Sequence, residues 1–340
     1  MQLWQYVGRR LMLMPILIIG ITLLAFIVSH LVPADPLGMV LSERAMNNPE
    51  IVAAYRARWG YDLPLYQQYL VYVKNLAHGD LGESIATQRS VREDLAQFFP
   101  ATLELTLAAM MFTIFIGIPL GVIAGIYRDS WPDHLARVLA LIGVSVPVFW
   151  LGLLLLNIFY FHLDWLPGPG RLDADIPPPP TVTGLYTIDS LLAGQWATFK
   201  NALAHLFLPA LVLGAYTMGA VSRMTRSSLL DVLGQDYMRT AKAKGLSQWA
   251  VILRHALRNA LIPTVTIVGL AFGDLMSGAV LTETIFSWPG MGRYAVTAAS
   301  YLDLQAIMGV TIVIATTYIL VNLAADITYG LLDPRIRIGG

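Results

Sequence analysis

Long apolar stretches alternate with shorter polar ones along the whole of this chain. Crossing about 30 Å of hydrocarbon takes about 20 helical residues, and windows of that length with at most one charged residue recur. They cover residues 11–34, 105–127, 138–163, 201–222, 259–282 and 304–325. The pattern predicts an all-α polytopic membrane protein with six transmembrane helices.

The spacing of these windows divides the chain into regions. We expect an N-terminal transmembrane helix over 1–35 and an external, partly helical loop over 36–100. A five-helix transmembrane core follows over 101–330 and includes a cytoplasmic loop at 222–262, and 331–340 form a cytoplasmic tail. Proline inside a membrane helix is tolerated but bends it, so Pro119 and Pro147 are expected to kink their spans.

Composition supports a membrane location, and the distribution of charge gives the orientation. Hydrophobic residues make up 56% and charged residues only 13% of the chain, and the mean hydropathy is +0.62. Lys+Arg and Asp+Glu number 22 each, so no basic excess indicates nucleic acid. With the N-terminus inside, the cytoplasmic segments hold 13 basic and five acidic residues, against nine and fourteen outside. The positive-inside rule therefore places both termini in the cytoplasm.

The external loop carries helix signals of its own. Asn48 is followed by Pro49, an N-cap with proline at the first helical position, and Gly60 suits a C-cap. Apolar residues at helical spacing on either side of Gly60 predict amphipathic helices that pack on the outer membrane face or on the bundle. The proline run 177–180 predicts a stiff spacer.

The cytoplasmic loop predicts a helical hairpin. Helix-favouring residues run from Thr225 to Lys244, Gly245 interrupts them, and an apolar stripe beginning at Leu246 continues until Pro263 opens the next span. An ordinary positive-inside loop explains the charges but not the small residues. Close approach by another protein would use the alanines, and the charges would set its orientation, at positions Arg239, Ala241, Lys242, Ala243 and Lys244.

The hairpin resembles the cytoplasmic coupling motif of ATP-binding-cassette importer permeases. In that motif a Glu-Ala-Ala pattern precedes a glycine by a fixed interval, and here Arg239-Thr240-Ala241 precedes Gly245 by three residues. Arginine and threonine replace the first two motif positions, and the usual later Leu-Pro is displaced to Ile262-Pro263. This variant resembles the dipeptide and oligopeptide branch. Further segments with that resemblance are 32–36, 78–84, 100–105, 281–290 and 333–335.

The resemblance implies a type I importer permease fold and a multi-pass subunit in the bacterial inner membrane. Such a permease translocates di- or oligopeptides that an external binding protein delivers, and it pairs with a second homologous permease and two cytoplasmic ATPases. Nickel chelates, glutathione and haem are alternative cargoes within the same family. The sequence holds no Gly-x-x-x-x-Gly-Lys-Ser/Thr loop, so ATP and Mg²⁺ are expected on the ATPases and no cofactor on this chain. The implied ATPase contact is Arg239, Thr240, Ala241, Lys242, Ala243, Lys244, Gly245, Leu246 and Pro263.

Acidic residues within or beside the spans are candidates for the translocation pathway. A charge near mid-bilayer costs about 2.5–3.5 kcal/mol or more, so such groups face a cavity or a partner. Glu104 and Asp326 lie near span ends, which favours a structural role. Asp274, with Gly273 and Ser277 nearby, is expected either to line the pathway and attract a cationic substrate group or to contact a neighbouring helix or the partner permease.

The segment after the fifth span is a candidate outer gate. Glu283 and Phe286 precede Trp288-Pro289-Gly290, a turn sequence that could re-enter the bundle. The alternative is an interfacial turn in which the tryptophan lies at the membrane surface.

Two other function classes lack their usual signals. A secondary transporter would have paired ion-coupling acids in broken helices and inverted repeats, whereas the spans hold one central acid. An intramembrane enzyme would have Gly-x-Ser-x-Gly or His-Glu-x-x-His, and neither occurs, so no catalytic residue is predicted. The six histidines have no metal-ligand spacing, so no metal site is expected.

Overall fold

A computed structural model describes residues 3–31, 46–59 and 62–332, and the regular elements of these residues are helices. Their bounds, in chain order, are α1 Leu3–Leu31, α2 Pro49–Trp59, α3 Leu65–Ala77, α4 Val91–Ile126, α5 Trp131–Ser145, α6 Val148–His162, α7 Tyr186–Leu192, α8 Trp196–Leu233, α9 Asp236–Ala243, α10 Gln248–Ile285, α11 Met291–Ser300 and α12 Leu304–Leu332. The C-cap expected at Gly60, the segment at 32–36 and the end of the tail, 333–340, lie outside the described residues.

The membrane spans are close to those expected. Within the described residues, five helices (α1, α4, α8, α10 and α12) are long and apolar enough to cross a bilayer. A sixth span arises if α5 and α6 are taken together, and these two helices bend by 108° at the break between them. The all-helical fold is confirmed, although the window 138–163 is not one straight helix.

Two prolines explain the irregular spans. Val146 adopts an extended backbone before Pro147, as a residue preceding proline prefers, and this ends α5. The predicted kink is therefore a sharp corner. In α4 a π-helical turn, Thr113–Gly117, comes directly before Pro119, whose missing N–H removes a helical hydrogen bond, and the helix continues.

Several helices extend beyond their apolar windows. The helix α4 begins at Val91, so the expected boundary between residues 100 and 101 falls inside it, and α8 continues to Leu233. The added turns contain charged residues whose partners are provided by the fold. Asp94 is fully buried and its carboxylate lies 2.6 Å from Arg89. Hydropathy alone ends a span at such residues because it ignores their partners.

The external helices follow the sequence signals. The side chain of Asn48 accepts a hydrogen bond from the backbone N–H of Glu50 at 3.0 Å, so the predicted N-cap of α2 is confirmed. The helix α3 packs on α1, where the hydroxyl groups of Tyr69 and Thr22 are 3.0 Å apart and Tyr69 contacts the ring of Phe26 edge-on.

The long helix α8 lies at the centre of the bundle, with 67% of its most apolar window buried. Small residues allow α4 to approach it closely: a Cβ atom at Gly121 would be 2.5 Å from the carbonyl oxygen of Ser222. The bundle around α8 has two ends. The cytoplasmic end carries α9, and the external end carries α7 and α11.

Candidate functional site

The coupling region begins where α8 ends at the cytoplasmic side. Helix α9 is short, and Gly245 follows it with a φ of +76°, a left-handed conformation that glycine adopts without strain. The chain then turns into α10, whose first turn is capped by the Ser247 side chain, which accepts a hydrogen bond from the backbone N–H of Ala250. The predicted helix, glycine break and second helix are present.

One face of α9 is attached to its own chain. Met238 is fully buried and Ala241 is 8% exposed. They pack in a cluster with Leu229, Val251, Ala256 and Ala260. The expectation that Ala241 would contact another protein is therefore wrong, because helical periodicity turns it toward α8 and α10. Of the residues predicted to contact the ATPases, those with exposed side chains or backbone are Arg239, Thr240, Ala243, Lys244, Gly245, Leu246 and Pro263.

The second arm of the hairpin differs from the expectation. Pro263 was predicted to open the fifth span, whereas α10 already begins at Gln248 and continues through Pro263 without a break. A π-helical segment, Val251–Ala256, ends about two turns before this proline. The hydroxyl of Tyr237 accepts a hydrogen bond from the side chain of Asn259 at 2.9 Å, which joins the two arms directly. The side chain of Lys242 lies outside the described residues.

A buried ion pair fixes the neighbouring corner of the bundle. Asp133, fully buried near the start of α5, accepts hydrogen bonds from Arg226 of α8, from Nε at 2.7 Å and from a terminal nitrogen at 2.8 Å. It also accepts the backbone N–H of Asp129 and lies 3.3 Å from Arg137. No sequence pattern indicates this cluster, since Asp133 and Arg226 are far apart in the chain.

The pathway candidates lie on two sides of α10. Asp274 and Ser277 are exposed on the surface of the chain, whereas Gly273 is buried against Tyr318 of α12. A Cβ atom at Gly273 would lie 2.1 Å from the Tyr318 ring, so this position serves helix packing. The side chain of Asp326 lies outside the described residues.

The outer-gate candidates are buried at the external end of α10. Glu283 and Trp288 are 0% and 1% exposed, and Phe286 is 2% exposed. The Trp288 indole N–H donates to the carbonyl oxygen of Ala101 at 2.8 Å. Thr102 of α4 donates to Glu283 at 2.6 Å. The alternative of an interfacial tryptophan is therefore wrong, because the turn folds back into the bundle.

A further cation completes this external end. Arg171 is bound to Glu104, and its guanidinium lies 3.5 Å from the centre of the Tyr186 ring and 5.5 Å from that of Trp288. Glu104 also accepts hydrogen bonds from the backbone N–H and the hydroxyl of Thr187. These contacts with Arg171 and Thr187 agree with the structural role that the position of Glu104 near a span end predicts. The sequence signal that could have indicated Arg171 is that Arg171 and Lys200 are the two basic residues, Lys and Arg, of the external segment 162–203.

The external segment is also held together by Asp189, which is buried in α7. It accepts hydrogen bonds from the backbone N–H groups of Val182, Thr183 and Gly184 and from the Thr183 hydroxyl at 2.7 Å. Burial alone would raise the pKa of Asp189, but these hydrogen bonds outweigh it and hold the pKa below its usual value. The carboxylate thus organises the chain that follows the proline run.

Across the described residues, no group of three His, Cys, Asp or Glu side chains could hold a metal ion. The arrangement instead provides a cytoplasmic contact surface, an uncovered face on a membrane helix and a packed external closure.

Comparisons with known proteins identify relatives over the full length. The family described as binding-protein-dependent transport system inner membrane component matches residues 117–338. The chain is 48% identical to the probable D,D-dipeptide transport system permease protein of Escherichia coli strain K12, over 100% of this chain and 99% of that protein. It is 48% identical to the di/tripeptide transport system permease protein of Pseudomonas aeruginosa, over 98% of each chain. A glutathione transport system permease protein of Salmonella paratyphi A is 38% identical, again over 98% of each.

Proposed function

We propose that this chain, which belongs to the family of binding-protein-dependent transport system inner membrane components, is the permease subunit of an ATP-driven importer of short peptides. Family membership makes it a multi-pass protein of the inner membrane. The peptide permeases are more similar to it than the glutathione permease is, which favours di- or tripeptides as cargo.

The family description implies a binding protein that delivers the cargo. We infer that the complete importer also has a second, homologous permease and two cytoplasmic ATPases that bind ATP and Mg²⁺. A permease of this kind moves cargo without catalysing a reaction.

The observation that carries the coupling role is the division of α9 into two faces. Its inner face, with Met238 and Ala241, is packed on α8 and α10. Its outer face, with Arg239, Thr240 and Ala243, is exposed. A helix held in this way moves as one body with the bundle, so force applied by an ATPase would be transmitted rather than absorbed.

Transmission to the outer end follows from the length of α10. This helix runs without a break from the coupling region to Ile285, about 57 Å at 1.5 Å per residue. Glu283 lies at its external end, so a tilt imposed beside Gly245 would displace the buried turn that contains Trp288. We propose that this turn is the outer gate. The ATPases bias an equilibrium between inward-open and outward-open bundles.

Reconstitution tests this function. The chain is assembled in proteoliposomes with its second permease and ATPases, and uptake of radiolabelled dialanine is measured with the binding protein outside. We expect uptake that depends on internal ATP and on the binding protein. Peptide uptake by this chain alone would instead support a secondary transporter. ATP-dependent uptake of glutathione but not of dialanine would identify glutathione, rather than a short peptide, as the cargo.

A further inference from the structure

The carboxylate of Asp274 lies deep within the span formed by α10. Along the helix it is about 24 Å from Arg258 toward the cytoplasm and about 17 Å from Ile285 at the external end, at 1.5 Å per residue. It is the one charged residue of the apolar window 259–282. Both distances are longer than an aspartate side chain can reach. The carboxylate therefore cannot extend to either aqueous surface.

Packing fixes which way this part of α10 faces. Gly273 lies against the ring of Tyr318, and a side chain there would overlap it. Ala271, Leu275 and Ala279 are buried in the bundle. Because an α-helix has 3.6 residues per turn, these contacts on one side of α10 also fix the direction of its opposite side. Asp274 lies on this opposite side and is exposed.

The uncovered face is polar at Asp274 itself, and the exposed side chains of Leu270 and Leu281 lie one turn before it and two turns after it on the same side. Ser277 and Gly278, one turn toward the external end, are also exposed, and the space beside Gly278 is open apart from Leu213 at 3.9 Å. Lipid is excluded as the environment, because an aspartate at the helix centre costs about 2.5–3.5 kcal/mol or more in hydrocarbon. The face therefore borders water or a polar partner.

We propose that Asp274 lines the translocation pathway and selects for cargo that carries a positive charge. This inference rests on the proposed function of peptide import. A carboxylate in a narrow aqueous passage with low-dielectric walls attracts an ammonium or guanidinium group and repels a carboxylate. The small neighbours Ser277 and Gly278 leave room for a side chain of the cargo beside it. A cation on the second permease is the competing occupant, and the test distinguishes the two.

The test compares cargoes that differ in net charge. Uptake of lysyl-alanine, dialanine and glutamyl-alanine is measured in the reconstituted importer with the wild-type chain and with Asp274→Asn, and is normalised to the amount of assembled complex. We expect Asp274→Asn to lower lysyl-alanine uptake roughly tenfold relative to dialanine. The same variant should raise glutamyl-alanine uptake relative to dialanine. Because the binding protein is identical in both assays, the ratios isolate the permease.

Two further variants sharpen the result. Asp274→Glu keeps the charge and should keep the preference for lysyl-alanine. Asp175→Asn makes the same chemical change on an exposed residue of the external segment and should leave the ratios at their wild-type values.

The possible failures are distinguishable. Equal effects of Asp274→Asn on all three peptides, or loss of the assembled complex, would overturn the pathway role and indicate a contact with the second permease. Absence of uptake of every peptide by the wild-type importer would overturn the proposed function, and this inference with it.

Discussion

Thr102 donates a hydrogen bond of 2.6 Å to the buried carboxyl group of Glu283, and this contact joins the first third of α4 to the external end of α10. The same carboxyl group accepts the backbone N–H of Arg293 at 2.9 Å, and Thr102 accepts the N–H of Met291 at 2.8 Å. The segment after Trp288 is therefore held by side chains from two spans. When this end of the bundle opens, either these hydrogen bonds break or the joined segments of α4 and α10 move together.

Replacing Glu283 by Ala should destabilise the external end. The substitution leaves the Thr102 hydroxyl and the Arg293 N–H without their acceptor in a buried site, a loss of about 1–3 kcal/mol in the free energy of unfolding. Glu283→Gln retains an acceptor oxygen and should lose less. Thermal unfolding of the purified chain in detergent, followed by tryptophan fluorescence, measures both. Equal unfolding temperatures for the two variants would contradict the assigned bonds.

Gly245 and Gly194 provide a matched pair for testing the coupling loop. Both have positive φ, +76° and +68°, and a Cβ atom at either position would meet nothing within 4 Å. Alanine should cost about 1–2 kcal/mol at each through the left-handed backbone alone. Only Gly245→Ala should lower ATP-dependent uptake, because it changes the orientation of α9 relative to α10. Gly194 lies at the external side, away from the coupling loop. Equal uptake by the two variants would contradict the coupling role of the loop.

The sequence predicted the elements better than their faces and ends. Apolar windows located the spans, and Asn48 located the start of α2, because both signals are local. The extension of α4 back to Val91 was missed because Asp94 is stabilised by Arg89, a partner that hydropathy does not count.

The helix, glycine break and second helix of the cytoplasmic hairpin were predicted in position, but the side chains that they expose were predicted only in part. The loop around Gly245 was identified by its composition, yet Ala241 faces inward and Trp288 is buried rather than interfacial. Both results depend on packing: a sequence pattern does not show which side of a helix, or which side of a turn, the packed bundle covers. Arg171 and Asp133 were missed for a related reason, since their partners come from distant segments.

Enlarging Ala241 should destabilise the chain, whereas enlarging Ala243 should leave its stability nearly unchanged. Ala241→Leu adds volume to a filled cluster and should lower the free energy of unfolding by about 1–3 kcal/mol. Ala243→Leu, on the exposed side, should change it by no more than about 0.5 kcal/mol. Ala243→Leu should nonetheless weaken attachment of the ATPases, measured by their co-purification with the tagged permease. Normal ATPase attachment with Ala243→Leu would argue against this contact face.

Arg226 and Arg137 both approach Asp133, and their removal should have unequal effects. Arg226 makes two hydrogen bonds to the buried carboxylate and is 22% exposed, whereas Arg137 lies at 3.3 Å and is 45% exposed. Removing one partner of a buried pair costs about 3–5 kcal/mol, while an exposed partner contributes about 0–1 kcal/mol. Arg226→Ala should therefore lower the unfolding temperature much more than Arg137→Ala. Similar shifts would show that Asp133 is held mainly by its other contacts.

Asp189 should make the stability of the external segment depend on pH. Its pKa is lower in the folded chain than in the unfolded one, so the unfolded state binds the proton more readily. The stabilisation is complete above the ordinary aspartate pKa of about 3.9 and is lost as pH falls through the lower folded-state value. In Asp189→Asn this dependence should be absent. Hydrogen exchange of the Thr183 and Gly184 amides, measured from neutral pH down to about pH 3 and corrected for the intrinsic exchange rate, should show protection that declines in the wild type. In the variant that protection should be low throughout, because an amide side chain offers one acceptor oxygen where the carboxylate offers two. A flat profile in the wild type would mean that Asp189 does not hold this segment through its charge.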